Sequence, residues 1–351
     1  MKPMRLATLR AFGAAAIATV LAVPAFAQAP ANAPAGNSAM LDTIKARGAL
    51  ICGVNTGLAG FAQPDSQGVW KGFDVEYCRA VAAAIFNDAN KVRYVPLTAQ
   101  NRFTALQSGE IDMMARNTTA TLSRDTSLGL DFPATNFYDG QGFMVKTALG
   151  VKSAKELDGA TICVQPGTTT EQNLTDWARA SNIKFTPVVI ERLEELFAAY
   201  VAGRCDAYTT DVSGLAASRS AQPNPADHLI LPEVISKEPL AVGVRHGDQR
   251  FADLIRWTHN VLLSAEEFGI TAANVTKVAA EDQRPEVQRL LGKTGGLGQM
   301  LGVDNLWAVN IIKATGNYGE IFERHLKALG IQRGPNAQWN QGGLQYSPPF
   351  R

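Results

Sequence analysis

Along this chain, runs of apolar, β-favouring residues alternate with segments whose apolar positions recur at helical spacing. Leu50 to Val54 is one such run, and from about Asp74 to Phe86 the residues Val75, Cys78, Val81, Ala82 and Ile85 fall on one helical face. Val92 to Pro96 returns to strand character. A second series repeats the order: a strand over Thr161 to Gln165, a helix from about Thr170 to Ala180, a strand over Phe185 to Ile190 and a helix from about Leu193 to Ala202. This alternation predicts an α/β protein with two mostly parallel sheets flanked by helices.

The two series share more than rhythm. Ala105-Leu106-Gln107-Ser108-Gly109-Glu110-Ile111-Asp112 and Ala199-Tyr200-Val201-Ala202-Gly203-Arg204-Cys205-Asp206 carry Ala, Gly and Asp at the same spacing. Each reads as the end of a helix, a glycine C-cap and the start of a short strand. Five residues beyond each Asp stands a polar group, Asn117-Thr118-Thr119 in one copy and Asp211 in the other. Open α/β sheets bind ligands beyond the carboxyl ends of their strands, so two related lobes would present both clusters to one crevice.

The chain begins with Lys2, Arg5 and Arg10, an apolar run from Ala11 to Val23, and Ala25-Phe26-Ala27, the pattern of an export signal. Residues 1–27 are therefore expected to be removed, residues 28–39 to form a flexible Ala/Pro/Asn/Gly-rich leader, and folded structure to begin near Met40. The apolar run falls short of the roughly 20 residues needed to cross a bilayer, and no later stretch approaches that length. The whole chain has 33 basic and 32 acidic residues. That balance argues against nucleic acid or anionic lipid as a partner. Cys52, Cys78, Cys163 and Cys205 make an even number for an oxidising compartment. Three pairings are possible; Cys52 with Cys78 and Cys163 with Cys205 each join an early strand to a nearby element of its own lobe. The four histidines show no metal-ligand spacing and no C-x-x-C occurs, so neither a metal nor a cofactor is expected.

Gly72-Phe73-Asp74-Val75-Glu76 resembles the signature of the polar amino acid binding proteins of ABC importers, the family that includes the histidine and glutamine binding proteins. The segment from Asn117 to Arg124, Asp131-Phe132-Pro133, Leu157-Asp158-Gly159 and Pro166-Gly167-Thr168-Thr169 follow in that family's order. Arg116-Asn117-Thr118-Thr119, the segment Tyr138 to Phe143 and the segment Gln341 to Tyr346 are similar to the general L-amino acid binding proteins. The resemblance implies a two-lobe, type II periplasmic binding fold, with crossings near Gly142 to Lys146 and near Lys237 to Val242. Residues 40–142 plus 241–351 would then form lobe 1, and residues 147–237 lobe 2. It also implies a monomeric, non-enzymatic periplasmic protein that hands free L-amino acids to inner-membrane permease subunits driven by a cytoplasmic ATPase.

A free amino acid carries a carboxylate and an ammonium on one carbon, and Arg124 and Asp211 supply the opposite charges. By resemblance, Arg124 forks onto the ligand carboxylate, with backbone N–H groups of Asn117 and Thr119, the Thr119 hydroxyl, and Thr168 and Thr169 completing that cradle. Asp211 would accept from the ammonium, or instead cap the helix that follows it. Asn55 is a polar contact at the mouth of the first strand, and Phe61 either stacks on the ligand or lies in the core. Arg116 either reads acidic ligands or braces its loop. Helices over Val303 to Thr315 and Tyr318 to Leu329 are expected to pack on the first lobe or to offer a docking surface. The alternative function is a dehydratase of cyclohexadienyl substrates on the same fold, which needs a general acid or base in the cleft.

Overall fold

The computed structural model describes residues 38–351, so the proposed signal and most of the leader lie outside the described residues. Among them the strands run β1 (Leu50–Asn55), β2 (Gln63–Pro64), β3 (Trp70–Lys71), β4 (Val92–Leu97), β5 (Met113–Thr119), β6 (Leu130–Asp131), β7 (Thr135–Asp139), β8 (Gln141–Lys146), β9 (Ala160–Val164), β10 (Phe185–Val189), β11 (Ala207–Asp211), β12 (His228–Ile230) and β13 (Glu238–Arg245). One sheet has the order β4-β1-β5-β13-β6, with β7 also on β13, and the other β10-β9-β11-β8-β12. Each sheet is mixed, not mostly parallel. β4, β1 and β5 are parallel, as are β10, β9 and β11, because helices connect them. β13 and β8 run antiparallel because they arrive from the other sheet without a helical crossover.

The first crossing falls earlier than the resemblance implies. Gly142 to Lys146 already belong to β8 in the second sheet, whereas Asp139 ends β7 and pairs with Glu238 at the start of β13. Only Gly140 separates β7 from β8. A Cβ there would lie 2.3 Å from Val234 Cγ1 and 2.8 Å from Ser236 O, so the glycine lets the two crossing segments touch.

The internal repeat is structural. Gly109 and Gly203 end their helices with φ near +80°. The next aspartates then pin the neighbouring strand: Asp112 accepts from Ile51 N–H at 2.7 Å, and Asp206 from Thr161 N–H at 2.7 Å. Helix Phe73–Phe86 starts at Gly72, whose φ of +136° and close approach to Phe61 O exclude a side chain. Disulfides Cys52–Cys78 and Cys163–Cys205 tie one helix to β1 and the approach to β11 to β9, the pairing favoured from the sequence. In the chain-entropy picture each is worth about 3–4 kcal/mol.

The residues after 270 complete the first core. Helix Trp307–Thr315 packs on helices Phe73–Phe86 and Gln249–Glu267, with Trp307, Ile311 and Ile312 buried. Burying side chains of that size contributes about 1.5–3 kcal/mol each. Farther on, Asn336 reaches the crossing: its Oδ1 accepts from Tyr138 N–H at 2.7 Å and its Nδ2 donates to Tyr138 O at 2.9 Å. The extension thus braces β7 at the inter-lobe connection. Among the described residues no helix is long and apolar enough to cross a membrane.

Candidate functional site

The cationic end of the site is built where β5 finishes. Thr121 caps the short helix Leu122–Thr126 by accepting from Arg124 N–H at 3.3 Å, which turns the arginine back over its own strand. Arg124 Nη1 then donates to Thr119 O at 2.8 Å, and its Cζ lies 4.9 Å from the centre of the Phe103 ring. Arg102, at the start of helix Arg102–Ser108, lies 4.7 Å from the same ring. Its Nη1 donates to Thr118 Oγ1 at 3.2 Å, while its buried Nε has no protein partner. Arg116 Nε donates to Leu97 O at 3.1 Å, which gives it the bracing role. Burial pulls all three guanidinium pKa values down, that of Arg116 to about 10, and Arg102 is lowered further by Arg116 and Arg124.

The anionic end is assembled from three separate segments. Asp211, 7% exposed, ends β11 at the N-cap position of helix Val212–Ser220, yet its side chain makes no capping bond. That cap comes from Asp139, whose Oδ2 accepts from Ser213 N–H at 3.3 Å and whose Oδ1 accepts from Gly140 N–H at 2.8 Å. The capping alternative for Asp211 is thereby filled by another residue, and its carboxylate remains unused. Glu238, at the head of β13 and 1% exposed, accepts from Thr119 Oγ1, from Thr169 Oγ1 at 2.9 Å, from Asn173 Nδ2 at 2.7 Å and from Ser236 Oγ at 2.6 Å. Burial pushes the Asp211 carboxyl well above its ordinary range; Asp139 and Glu238 raise it further, while Arg102 and Arg124 oppose. Asp139 is raised to about 6, chiefly by burial.

Opposed guanidinium and carboxylate groups are therefore buried in one site. Among the described residues none of Arg102, Arg116, Arg124, Asp139, Asp211 and Glu238 belongs to an ion pair within 4.0 Å. A buried charge without an ionic partner is costly, so each of these groups favours a partner of opposite charge.

Several residues singled out from the sequence have other duties. Asn117 N–H donates to Asp74 Oδ2 at 2.9 Å, so it is not free to bind a ligand carboxylate; that bond holds Asn117 at φ +30°. This explains the aspartate of the Gly-Phe-Asp signature. Asn55 Nδ2 donates to Asn117 Oδ1 at 2.9 Å and steadies the same turn. Thr168 caps helix Thr169–Ser181, its hydroxyl donating to Gln165 O at 2.8 Å and accepting from Glu171 N–H at 3.1 Å. Thr169, the first residue of that helix, has an N–H without an intrahelical acceptor. The Thr119 and Thr169 hydroxyls meet at 3.4 Å across the two lobes, both turned to Glu238. Phe61 is a core residue, fully buried with its ring 5.6 Å from Phe137 and 6.1 Å from Phe73. A covered ring cannot stack on a ligand.

Residues 50–268 match the model of the bacterial extracellular solute-binding proteins, family 3. The chain is 59% identical over 322 residues to the glutamate/glutamine/aspartate/asparagine-binding protein of Rhodobacter capsulatus, covering 91% of this chain and 95% of that one. It is 55% identical over 325 residues to the general L-amino acid-binding periplasmic protein of Rhizobium johnstonii, with the same two coverages, 91% and 95%. The chain belongs to family 3 of the extracellular solute-binding proteins. A solved structure, the ABC transporter/periplasmic binding protein from Brucella ovis with glutathione bound, superimposes with a TM-score of 0.87 at 58% identity, over 90% of this chain and 100% of that one.

Within this family 3 protein, sequence reasoning missed Arg102, Asp139 and Glu238. Arg102 reads as an ordinary helix-start residue, and Lys237-Glu238-Pro239 as a charged turn before a strand. The expected crossing near Lys237 was the one signal that Glu238 stands between the lobes. Away from the site, His246 Nε2 lies 3.5 Å from Asp125 Oδ1 and 3.6 Å from Asp131 Oδ1, a grouping that histidine spacing does not reveal. These three side chains are partly exposed and form a cluster at the surface.

Proposed function

We propose that this protein is the periplasmic binding component of an ABC importer for free L-amino acids, holding the ligand carboxylate against Arg124 and the ammonium against Asp211. The observation that carries this reading is the burial of Arg124 and Asp211, each within reach of the other's charge and, among the described residues, without an ion pair within 4.0 Å. Charged hydrogen bonds net about 1.5–3 kcal/mol each, so four or five in a water-excluding cleft reach the roughly 8 kcal/mol of micromolar binding. The orphaned Nε of Arg102 beside the cationic end offers a further donor to acidic or amide side chains, in keeping with the ligands named for the Rhodobacter capsulatus relative.

Broad specificity for L-amino acids is supported by the name of the Rhizobium johnstonii relative and by a core position for Phe61, which takes that ring out of the side-chain pocket. The α-amino acid head of glutathione, the ligand in the Brucella ovis structure, carries the same two charges. The protein acts as a monomer in the periplasm, is not an enzyme, and passes its ligand to permease subunits coupled to a cytoplasmic ATPase. Calorimetry on protein stripped of endogenous ligand, titrated with the twenty amino acids and glutathione, tests the reading: micromolar or tighter binding of several amino acids is expected. Mass spectrometry of the purified protein should find a co-purified free amino acid. Absence of any amino acid binding, or turnover of prephenate or arogenate, would sink it.

A further inference from the structure

We infer that Glu238 is a positioning residue that sets which way the Thr119 and Thr169 hydroxyls point, and so makes the site select ligands with a free α-ammonium. The inference rests on the amino acid reading above and deepens it. A threonine hydroxyl has one hydrogen and two lone pairs. Both hydroxyls contact the same carboxylate oxygen, Glu238 Oε2, Thr169 at 2.9 Å and Thr119 closer still. The two hydroxyls lie 3.4 Å from one another, so the carboxylate is the nearer and stronger acceptor for each hydrogen. An ionised carboxylate only accepts. With both hydrogens committed to Glu238, what Thr119 and Thr169 present to the cleft is lone pairs alone.

This assignment reverses the role expected for the Thr119 hydroxyl. It cannot donate to a ligand carboxylate; it can accept from an ammonium, as can the Thr169 hydroxyl. Asn173 Nδ2 and Ser236 Oγ fill the other oxygen of Glu238 at 2.7 and 2.6 Å, so the carboxylate is anchored from the second lobe and from the crossing segment. Among the described residues it has no ion pair within 4.0 Å, which leaves its charge for a cation brought by the ligand. An α-hydroxy acid places a neutral hydroxyl where the ammonium would sit, forming weaker bonds to the same acceptors.

The test uses the mature protein with L-glutamate and 2-hydroxyglutarate as probes. E238Q replaces Oε2 either by an NH2 group, which donates to both hydroxyls and turns their hydrogens into the cleft, or by a neutral amide oxygen, a weaker acceptor than the carboxylate. E238Q is expected to weaken L-glutamate about tenfold or more and 2-hydroxyglutarate less than threefold. In the double variant E238Q/T169V the loss for L-glutamate should not exceed that of the worse single change by more than threefold, because Glu238 acts through the hydroxyl. Equal losses for both probes, or additive losses in the double variant, would overturn the inference in favour of a purely structural clasp. Should E238Q not fold, T169V against T169S on the native background reads the same point: T169V loses tenfold for L-glutamate and less than threefold for 2-hydroxyglutarate, and an equal loss overturns it. If the unmodified protein binds none of the twenty amino acids, the proposed function fails, independently of Glu238.

Discussion

The two ends of the site are built in opposite ways. At the cationic end, the hydrogen bonds that aim Arg124 come from Thr119 and Thr121, within five residues of it, with Phe103 beneath the guanidinium. At the anionic end, Asp139, Asp211 and Glu238 come from the two crossings and from the second sheet, and Glu238 alone is held by a partner 119 positions away. The first end is a local motif carried on one lobe. The second exists only when both lobes and both crossings are in register, so the anionic end is the one that senses their relative position. A ligand that needs both charges reports on both.

Removing the local end should have the largest effect. On the proposed reading, Arg124→Ala deletes a forked, charge-assisted contact to the ligand, and calorimetry is expected to find at least a hundredfold weaker binding of every amino acid, about 3 kcal/mol. Arg124→Lys should recover only part of this, since an ammonium lacks the planar fork. Asp211→Asn removes one of three carboxylates and should cost about tenfold to fiftyfold, because Asp139 and Glu238 still attract the ammonium. If Asp211→Asn proved as damaging as Arg124→Ala, the picture of a dispersed anionic end would fail.

The dispersed end also predicts a pH dependence that the cationic end lacks. Asp139 has a folded-state value of about 6 against an ordinary 3.8, raised by burial with Glu238 from β13 adding to it. Asp211 on β11 is raised as well, with Arg102 and Arg124 opposing from the first lobe. A carboxyl raised on folding contributes stability that is complete below about 3.8 and lost as pH rises through about 6. The melting temperature of the ligand-free protein, taken relative to Asp139→Asn, should therefore fall from about pH 4 to about pH 7 and level off above. An arriving ammonium favours the ionised forms, so binding should release protons and weaken about tenfold from pH 7.5 to pH 5. Titrations in buffers of different ionisation enthalpy measure that release, and a flat profile would mean the three acids are not close to the ligand.

How much of this could be read from the residues follows the same division. The α/β alternation and the Asn117 to Arg124 segment are periodic or contiguous, and the sequence carries them openly, whereas the disulfides join positions 26 and 42 apart and were one of three possible pairings. The glycine-aspartate repeat pointed to paired lobes because Asp112 and Asp206 each pin a neighbouring strand in the same way. Glu238 was illegible because its burial depends on Thr119, Thr169 and Asn173, which no local pattern brings near it. Asn117 was misread for a related reason: its N–H belongs to Asp74, 43 positions earlier. Asp74→Ala sharpens this point. It frees that N–H and the strained φ of Asn117, and should cost about 1–3 kcal/mol of stability and about fivefold in affinity, an indirect effect smaller than either charge deletion.

The smallest effect on binding is expected at Phe61, which the sequence leaves open between the ligand and the core. Its ring is fully covered and packs edge-on against Phe137 and Phe73, inside the core that the C-terminal helices complete. Phe137 lies in β7, directly before the crossing that carries Asp139. Phe61→Leu keeps most of the volume and should lower the unfolding free energy by about 1–1.5 kcal/mol, while Phe61→Ala should cost about 3–5 kcal/mol. Neither change should alter the ranking of amino acids by more than about twofold, because no atom of the ring reaches the cleft. Denaturant unfolding beside calorimetry on the same samples separates the two quantities. A reordered ligand ranking with unchanged stability would return Phe61 to the pocket and require the aromatic cluster to open when ligand enters.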